Sequence, residues 1–488
     1  MFGGIVARNV RRKAAEVMRL GGMGLSTMAN DDKIAQIERK MTENNIDTVI
    51  VGYSDIYGRL VGKRYDSSDF LQNVASKGSH GCIYTFAVDM AMNPLDGFKY
   101  ANWETGFGDF HMDPDLDSFS LCGWNTGTAM VLCDVRDTET HELVPIAPRS
   151  VLRKQIERMN AAIGVGTINA ASELEHYTYK DTFPEAFEKG YSNLEPTGYY
   201  SEDYHILQGH RTEHFHRKVR KALGASGIHV ESSKGETGIG QHELNVQYAE
   251  ALKMADRHVV FKQCMKEVAI DEGISVTFMA KPVHDDAGSS CHLHVSLYDK
   301  NGQNMFVGDD TLDTVTGCSD TFKHFLGGWI NHTPELFALY APTVNSYKRF
   351  CSGSWAPTAT AWGKDNRTCG FRIIGSGPSL RIECRIPGGD VNPYLVFAAA
   401  LASGLDGIEN KISPPPIMEG DGYKGASDSV LLPRNLGEAA STFKDSKFAK
   451  TVFGEEMVEH YSHFYKLEQE AFDAAVTDWE RKRYFEQI

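Results

Sequence analysis

Seven consecutive residues, Leu380-Arg381-Ile382-Glu383-Cys384-Arg385-Ile386, alternate strictly between apolar and charged. A period of two belongs to a strand, because successive side chains leave its backbone on opposite faces. Leu380, Ile382, Cys384 and Ile386 then form an apolar face that must cover a core, and Arg381, Glu383 and Arg385 form the other. The surrounding stretch, Asn366 to Leu395, adds Arg367 and Arg372, so four arginines and Glu383 fall within nineteen residues. The ordinary reading is an edge strand with a solvated charged face. The alternative is chemical: arginine captures carboxylates and phosphates bidentately, and a lone glutamate among arginines suits a cation.

Other stretches show the same period. Glu173-Leu174-Glu175 puts two carboxylates on one strand face. Glu236 precedes Gly240-Gln241-His242-Glu243-Leu244-Asn245, in which Glu243, Asn245 and Gln247 share a face. In Cys291-His292-Leu293-His294-Val295-Ser296-Leu297 the residues His292, His294 and Ser296 line one face of an otherwise apolar strand. The first two alone read as polar strand faces, whereas two same-face histidines on an otherwise apolar strand favour a ligand or phosphate role over satisfied core residues. Together, five glutamates and a histidine make a hard donor set suited to Mg2+ or Mn2+. Metal ions beside an arginine clamp are the usual parts of phosphoryl transfer. Composition and spacing reach a metal-dependent phosphoryl-transfer enzyme and stop there.

A chain of 488 residues with a formal charge of -15 can bury a large core and is a poor general nucleic-acid binder. Nine cysteines without CxxC spacing point to a reducing compartment, taken as the cytoplasm, and no apolar run is long enough to span a membrane. Residues 1–30 form a basic extension, expected to be disordered, in which Arg8, Arg11, Arg12, Lys13 and Arg19 meet one acid, Glu16. It reads as a transit-like segment, an exposed basic helix, or residues ahead of a start at Met28. A helix is expected over Asp31 to Asn44, strands near Asp47 to Val51, Leu60 to Lys63, Asp109 to Pro114 and Gly127 to Val135, and a helix over Arg149 to Ala161. The spacing divides the chain into a small mixed domain, residues 31–142, and a larger one, residues 143–488. Glu455 to Gln487 reads as one long helical tail.

With these motifs in order, the chain resembles the glutamine synthetase family from about Ile34 onward. The resemblance rests on Glu173-Leu174-Glu175, Glu236 with GQHE ending at Glu243, FMAKP from Phe278, GSSCHLH, Asn345-Ser346-Tyr347-Lys348-Arg349, Asn366-Arg367, and RIECR before NPYL. It implies an α+β fold, with a β-grasp-like N-terminal domain and a catalytic domain built on a curved antiparallel sheet. It also implies a homo-oligomer, a dodecamer of two stacked hexameric rings, with active sites between subunits. One metal would fall to Glu175, Glu236 and Glu243, and the other to Glu173, His292 and Glu383. Glu231, Tyr248, His294, Ser296, Arg372 and Arg381 match ATP-binding positions. Glu175, Gly288, His292, Arg349, Arg367 and Arg385 match positions around glutamate, with Arg367 and Glu383 as catalytic groups. The implied reaction phosphorylates the γ-carboxylate of L-glutamate with ATP, after which an amine displaces phosphate.

The departures single out a branch. Ammonia-using members carry an acid a few residues after Tyr-Lys-Arg; here Trp355 stands six residues beyond Arg349. The region matching their second ammonium acid reads Gly81-Cys82-Ile83-Tyr84-Thr85-Phe86, and Ala287 replaces an asparagine before Gly288. In these places the chain is similar to the γ-glutamylamide synthetases, which join glutamate to amines other than ammonia. An alkylamine with a pKa of about 10.4 is only about one part in 2,500 free base at pH 7, or ~4.6 kcal/mol. A site without acids does little to bind or deprotonate that cation, whereas a neutral aromatic amine would stack on an indole. Tyr84 and Trp355 are therefore the expected amine site, with an apolar or aromatic, aniline-like amine expected. Ethanolamine, a polyamine or an alkylamine are alternatives, as are ammonia-dependent glutamine synthesis and a non-catalytic structural homologue.

Overall fold

The computed structural model describes residues 30–424 and 430–488, so the basic extension lies outside the described residues. Residues 30–43 are helical, with Ile37 and Met41 buried at helical spacing. Six strands follow: β1 (Thr48–Ser54), β2 (Leu60–Asp66), β3 (Ser79–Cys82), β4 (Asp109–Pro114), β5 (Ser120–Leu121) and β6 (Thr128–Asp137). Their order is β2-β1-β6-β4-β3, with β5 on β6. The central pair β1–β6 is parallel and its flanking pairs are antiparallel, the arrangement expected of a β-grasp-like unit.

The second sheet carries the chemistry. Its strands are β7 (Thr167–Tyr179), β8 (Val230–Gly235), β9 (Gln241–Val246), β10 (Ala249–Glu250), β11 (Ser275–Thr277) and β12 (Cys291–Tyr298). After a separate hairpin, β13 (Val307–Leu312) and β14 (Val315–Cys318), the sheet adds β15 (Trp362–Lys364), β16 (Phe371–Ile374) and β17 (Arg381–Cys384). The order is β15-β16-β17-β12-β7-β9-β8, antiparallel except for β15–β16. β17 is thus an interior strand rather than an edge. Leu380, Ile382, Cys384 and Ile386 are all buried, and that apolar face is what holds β17 over the core.

Helices back the sheet. Ala251–Glu272 ends at Gly273 in the left-handed conformation (φ 67°), the usual helix stop. Pro393–Asn410 is almost wholly buried and lies against Asp320–His332. A Cβ on Gly328 would fall 2.5 Å from the Cα of Gly407, so this approach requires glycine. Arg149, at the start of helix Pro148–Ile163, ties the two parts of the chain together. Its buried guanidinium bonds Asp256 at 2.9 Å, Asp115 at 2.7 Å, and Asp134. Asn392 Nδ2 makes a second tie, donating to the carbonyls of Asp55 and Ile56 at 3.1 and 3.2 Å.

The tail is two helices, Glu455–Ala474 and Asp478–Tyr484, not the single one expected. Thr477 and Glu480 form a reciprocal capping box that starts the second helix, a local signal that outweighs continued helical spacing. Among the described residues no helix is long and apolar enough to cross a membrane.

Candidate active site

Strand register gathers the site. Glu173 on β7 stands opposite His292 on β12, His294 opposite Glu383 on β17, and Glu175 opposite Glu243 on β9. On β16, Arg372 lies opposite Glu383. Because side chains alternate, one face of four neighbouring strands carries the polar set while Leu174, Leu244, Leu293 and Ile382 are buried on the other.

Two groups of metal-competent atoms result, each with its ligand atoms within 4.8 Å of one another: Glu175, Glu236 and Glu243, and Glu173, His294 and Glu383. The first is as expected. The second takes His294 where the sequence reading places His292. His292 Nδ1 nevertheless lies 3.3 Å from Glu173 and 3.5 Å from Glu383, so both histidines face the same carboxylates. His294 Nε2 is buried 3.0 Å from Glu173 without a hydrogen bond of acceptable geometry.

Electrostatics separate the groups. Burial, with repulsion from Glu175 and Glu243, pushes Glu236 up to about 8. Burial and Glu173 push Glu243 up to about 7. Three carboxylates crowded into a shielded corner are poorly served by protein alone, and a hard divalent cation is the group that fits them. In the second group burial opposes ionisation of Glu173, but His294 and His292 outweigh it and hold its pKa well below the carboxylate range. For Glu383, too, burial is overcome by His292, His294 and Arg385.

The arginines spread from this point. Arg372 Nη1 and Arg385 Nη1 donate to the two oxygens of Glu383 at 2.9 and 2.7 Å, and Arg381 Nε donates to His294 Nδ1 at 3.3 Å. Arg385 Nε also donates to the Arg367 carbonyl at 3.2 Å, beneath the exposed Arg367 side chain. Arg349 is fully enclosed; its Nη2 donates to the Pro387 carbonyl at 2.8 Å and its Nε has no partner. Gly288 makes room for it, since a Cβ there would fall 2.4 Å from Arg349 Cγ. Ser296 is buried on β12, while Glu231, at a bulge of β8, and the Tyr248 ring are exposed at the rim.

Trp355 sits in a loop rooted on Arg349, whose carbonyl accepts from Ser354 Oγ at 3.0 Å. The residue is 57% exposed and its backbone is left-handed (φ 63°), uncommon for a bulky side chain. Tyr84 is half-buried in the turn Ile83–Phe86 of the small domain, and among the described residues no hydrogen bond or ring contact joins it to Trp355. Hydrogen bonding adds four residues. Lys234 Nζ pairs with Glu236 and lies over the Tyr204 ring. Gln241 Nε2 bonds Glu175 at 3.2 Å and the Gly288 carbonyl at 3.0 Å. Ser290 caps Glu175 through its N–H (2.7 Å) and hydroxyl (2.6 Å). Tyr423 hydrogen-bonds the Trp355 loop. Lys234 and Gln241 flank Glu236 and Glu243 in sequence, a signal that was there to read.

A family model described as glutamine synthetase, catalytic domain, matches residues 145–484. A γ-glutamylethanolamide synthetase, GlnA4, of Streptomyces coelicolor is 43% identical over 455 residues, covering 93% of this chain and 96% of its own. A glutamate–isopropylamine ligase of a Pseudomonas species is 36% identical, covering 94% and 99%. A solved GmaS/ADP complex superposes with a TM-score of 0.79 at 28% identity, covering 93% of this chain and 99% of its own.

Proposed function

The chain belongs to the glutamine synthetase family, and from that premise we propose that it is an ATP-dependent ligase joining the γ-carboxylate of L-glutamate to a small primary amine through γ-glutamyl phosphate. One observation carries this reading. A hard-cation donor set and an arginine face share one sheet surface, and on the family resemblance the indole of Trp355 stands where ammonia-using members carry an acid.

Glu175, Glu236 and Glu243 would hold one divalent ion, Mg2+ or Mn2+. Glu173 and Glu383, with a histidine of β12 (His292 on the family resemblance), would hold the other. When bound, such ions neutralise phosphate charge and polarise phosphoryl oxygens. The remaining work falls to the chain. Arg349 and Arg385 hold the glutamate carboxylates, and Gly288 admits the Arg349 side chain. Glu231, Tyr248, His294, Ser296, Arg372 and Arg381 receive ATP. Arg367 meets the negative charge spread over the phosphoryl group in transit. The γ-carboxylate oxygen attacks the γ-phosphorus of ATP and ADP leaves. The amine lone pair then attacks the γ-carbonyl carbon, the carbon–oxygen bond to phosphate breaks, and the nitrogen sheds its proton.

The amine arrives beside Trp355, with Tyr84 as its second wall. Neither side chain supplies a carboxylate, so the nucleophile enters as the free base with its carbon end on the indole face. The ethanolamide and isopropylamine relatives support a small aliphatic amine, and the two aromatic walls support an apolar one. A ring homo-oligomer, a dodecamer in which the small domain of one subunit completes the site of the next, belongs to the same proposal. So does the domain division at residue 142. All nine cysteines are unpaired, which supports a reducing, cytoplasmic setting. Phosphate release with glutamate, ATP and Mg2+ across ethanolamine, isopropylamine, aniline, a polyamine and ammonia tests the reading. Release with amines is expected, and release with ammonia alone would overturn it.

A further inference from the structure

One buttress of the Trp355 loop has no place in the reaction described above. The segment Met418 to Tyr423 runs as a strap across the site. At one end the Met418 N–H donates to the Trp362 carbonyl at 2.9 Å, and Asn366 Nδ2 donates to the Gly420 carbonyl at 2.8 Å. The Gly422 N–H donates to Thr368 Oγ1 at 2.9 Å. Asn366 and Thr368 flank Arg367, so this end is fixed to the phosphoryl-facing loop. At the other end Tyr423 Oη donates to the Ala356 carbonyl at 3.1 Å. That carbonyl directly follows Trp355, whose left-handed backbone needs support from its surroundings. Tyr423 is half-buried.

We propose that Tyr423 is a positioning residue for the amine: its hydroxyl, anchored through the strap to Asn366 and Thr368, fixes Trp355 against the incoming nucleophile. Two of the bonds that hold the Trp355 loop run from Ser354 to Arg349 on one side and from Tyr423 to Ala356 on the other. The first ties it to the arginine that holds glutamate. The second ties it to the loop that carries Arg367. Removing the Tyr423 hydroxyl frees the indole to swing toward solvent, where over half of its surface already lies. The amine pocket widens while the glutamate arginines keep their own bonds. This inference rests on the ligase reading, because it assigns Tyr423 to the nucleophile half of that reaction.

The test is a double-mutant cycle on the full-length enzyme with Tyr423→Phe, Trp355→Phe and the pair, using isopropylamine as the probe amine. Tyr423→Phe should raise the KM for isopropylamine about 3- to 10-fold, the worth of one hydrogen bond, with a much smaller change in the KM for glutamate. In the Trp355→Phe background the same change should have less than about a twofold effect, because Tyr423 acts through the indole. Equal effects in both backgrounds, or equal effects on both KM values, would overturn the proposal. A second readout does not need turnover. Acrylamide quenching of Trp355, taken as the difference between each enzyme and its Trp355→Phe counterpart, should rise in Tyr423→Phe, and an unchanged value refutes the linkage. If the wild type makes no γ-glutamylisopropylamide, the ligase reading fails for this amine, and quenching alone decides on Tyr423.

Discussion

Metal affinity should depend steeply on pH, because two of the carboxylates that would receive the ion are protonated around neutrality without it. Glu236 is raised to about 8 and Glu243 to about 7, in each case by burial first and neighbouring carboxylates second. The sign follows directly: a raised carboxylate pKa means that the empty site holds protons which a cation must displace. At pH 7 a group with pKa 8 is about nine-tenths protonated and one with pKa 7 about half, so binding releases roughly 1.4 protons. Between pH 6 and pH 7 the apparent affinity should rise about 50-fold, equivalent to ~2.3 kcal/mol. Isothermal titration of metal-stripped enzyme with Mn2+, in two buffers of different ionisation enthalpy, reads both quantities. Glu243→Gln should reduce the proton count. A binding heat independent of buffer, or an affinity that changes less than about threefold over that pH unit, would refute the argument that these carboxylates are crowded into a cation's place.

Other outcomes follow from single contacts. Trp355→Glu should raise activity with ammonia relative to isopropylamine by restoring a carboxylate where the nucleophile arrives; an unchanged ratio in steady-state assays removes Trp355 from the amine site. Gly288→Ala places a Cβ 2.4 Å from Arg349 Cγ and 2.6 Å from the Ala280 carbonyl oxygen; the displaced guanidinium should raise the KM for glutamate on the order of tenfold or more, with an overpacking cost of about 1–3 kcal/mol in denaturant unfolding. Arg149→Met leaves Asp256 without its cationic partner and Asp115 and Asp134 with Arg153 alone, and should cost about 3–5 kcal/mol in denaturant unfolding. Burial works against charging His332, but hydrogen bonds from its ring to Glu335 (2.6 Å) and Asp406 (2.8 Å) outweigh it and raise its pKa. Its stabilisation is then complete below the ordinary imidazole value and lost as pH rises through the raised one. Glu335, with its pKa lowered, adds stability that is lost as pH falls. The stability gap between wild type and His332→Gln should therefore peak between about pH 4.5 and 6.5 and shrink in alkali.

Much of this was legible in the strands. Alternation in RIECR, CHLHVSL and ELE states which residues face the core, and the structure keeps those faces: Leu293, Ile382 and Cys384 are fully buried. Register is what alternation cannot give. That Glu173 stands opposite His292 and Glu175 opposite Glu243 depends on pairing between strands far apart in sequence. For the same reason the choice between His292 and His294 beside Glu383 was not visible, since both lie on one face. Lys234 and Gln241 stand beside Glu236 and Glu243 in sequence, but their bonds to carboxylates depend on strand pairing that spacing does not give. Tyr423 belongs to no periodic pattern. It acts through one hydrogen bond to the Ala356 backbone, across 67 residues of chain, and no periodicity encodes such a contact. The tail failed for a local reason: helical spacing continues past Ala474, but the Thr477 capping box begins a new helix.

The central claim is that the amine displaces phosphate from a phosphorylated γ-carboxylate. Glutamate labelled with 18O in both γ-carboxylate oxygens tests it directly. With ATP, Mg2+ and isopropylamine, one labelled oxygen should leave in the released phosphate and one should remain in the γ-glutamylamide, both read by mass spectrometry. Unlabelled phosphate, or amide retaining no label, would contradict the account.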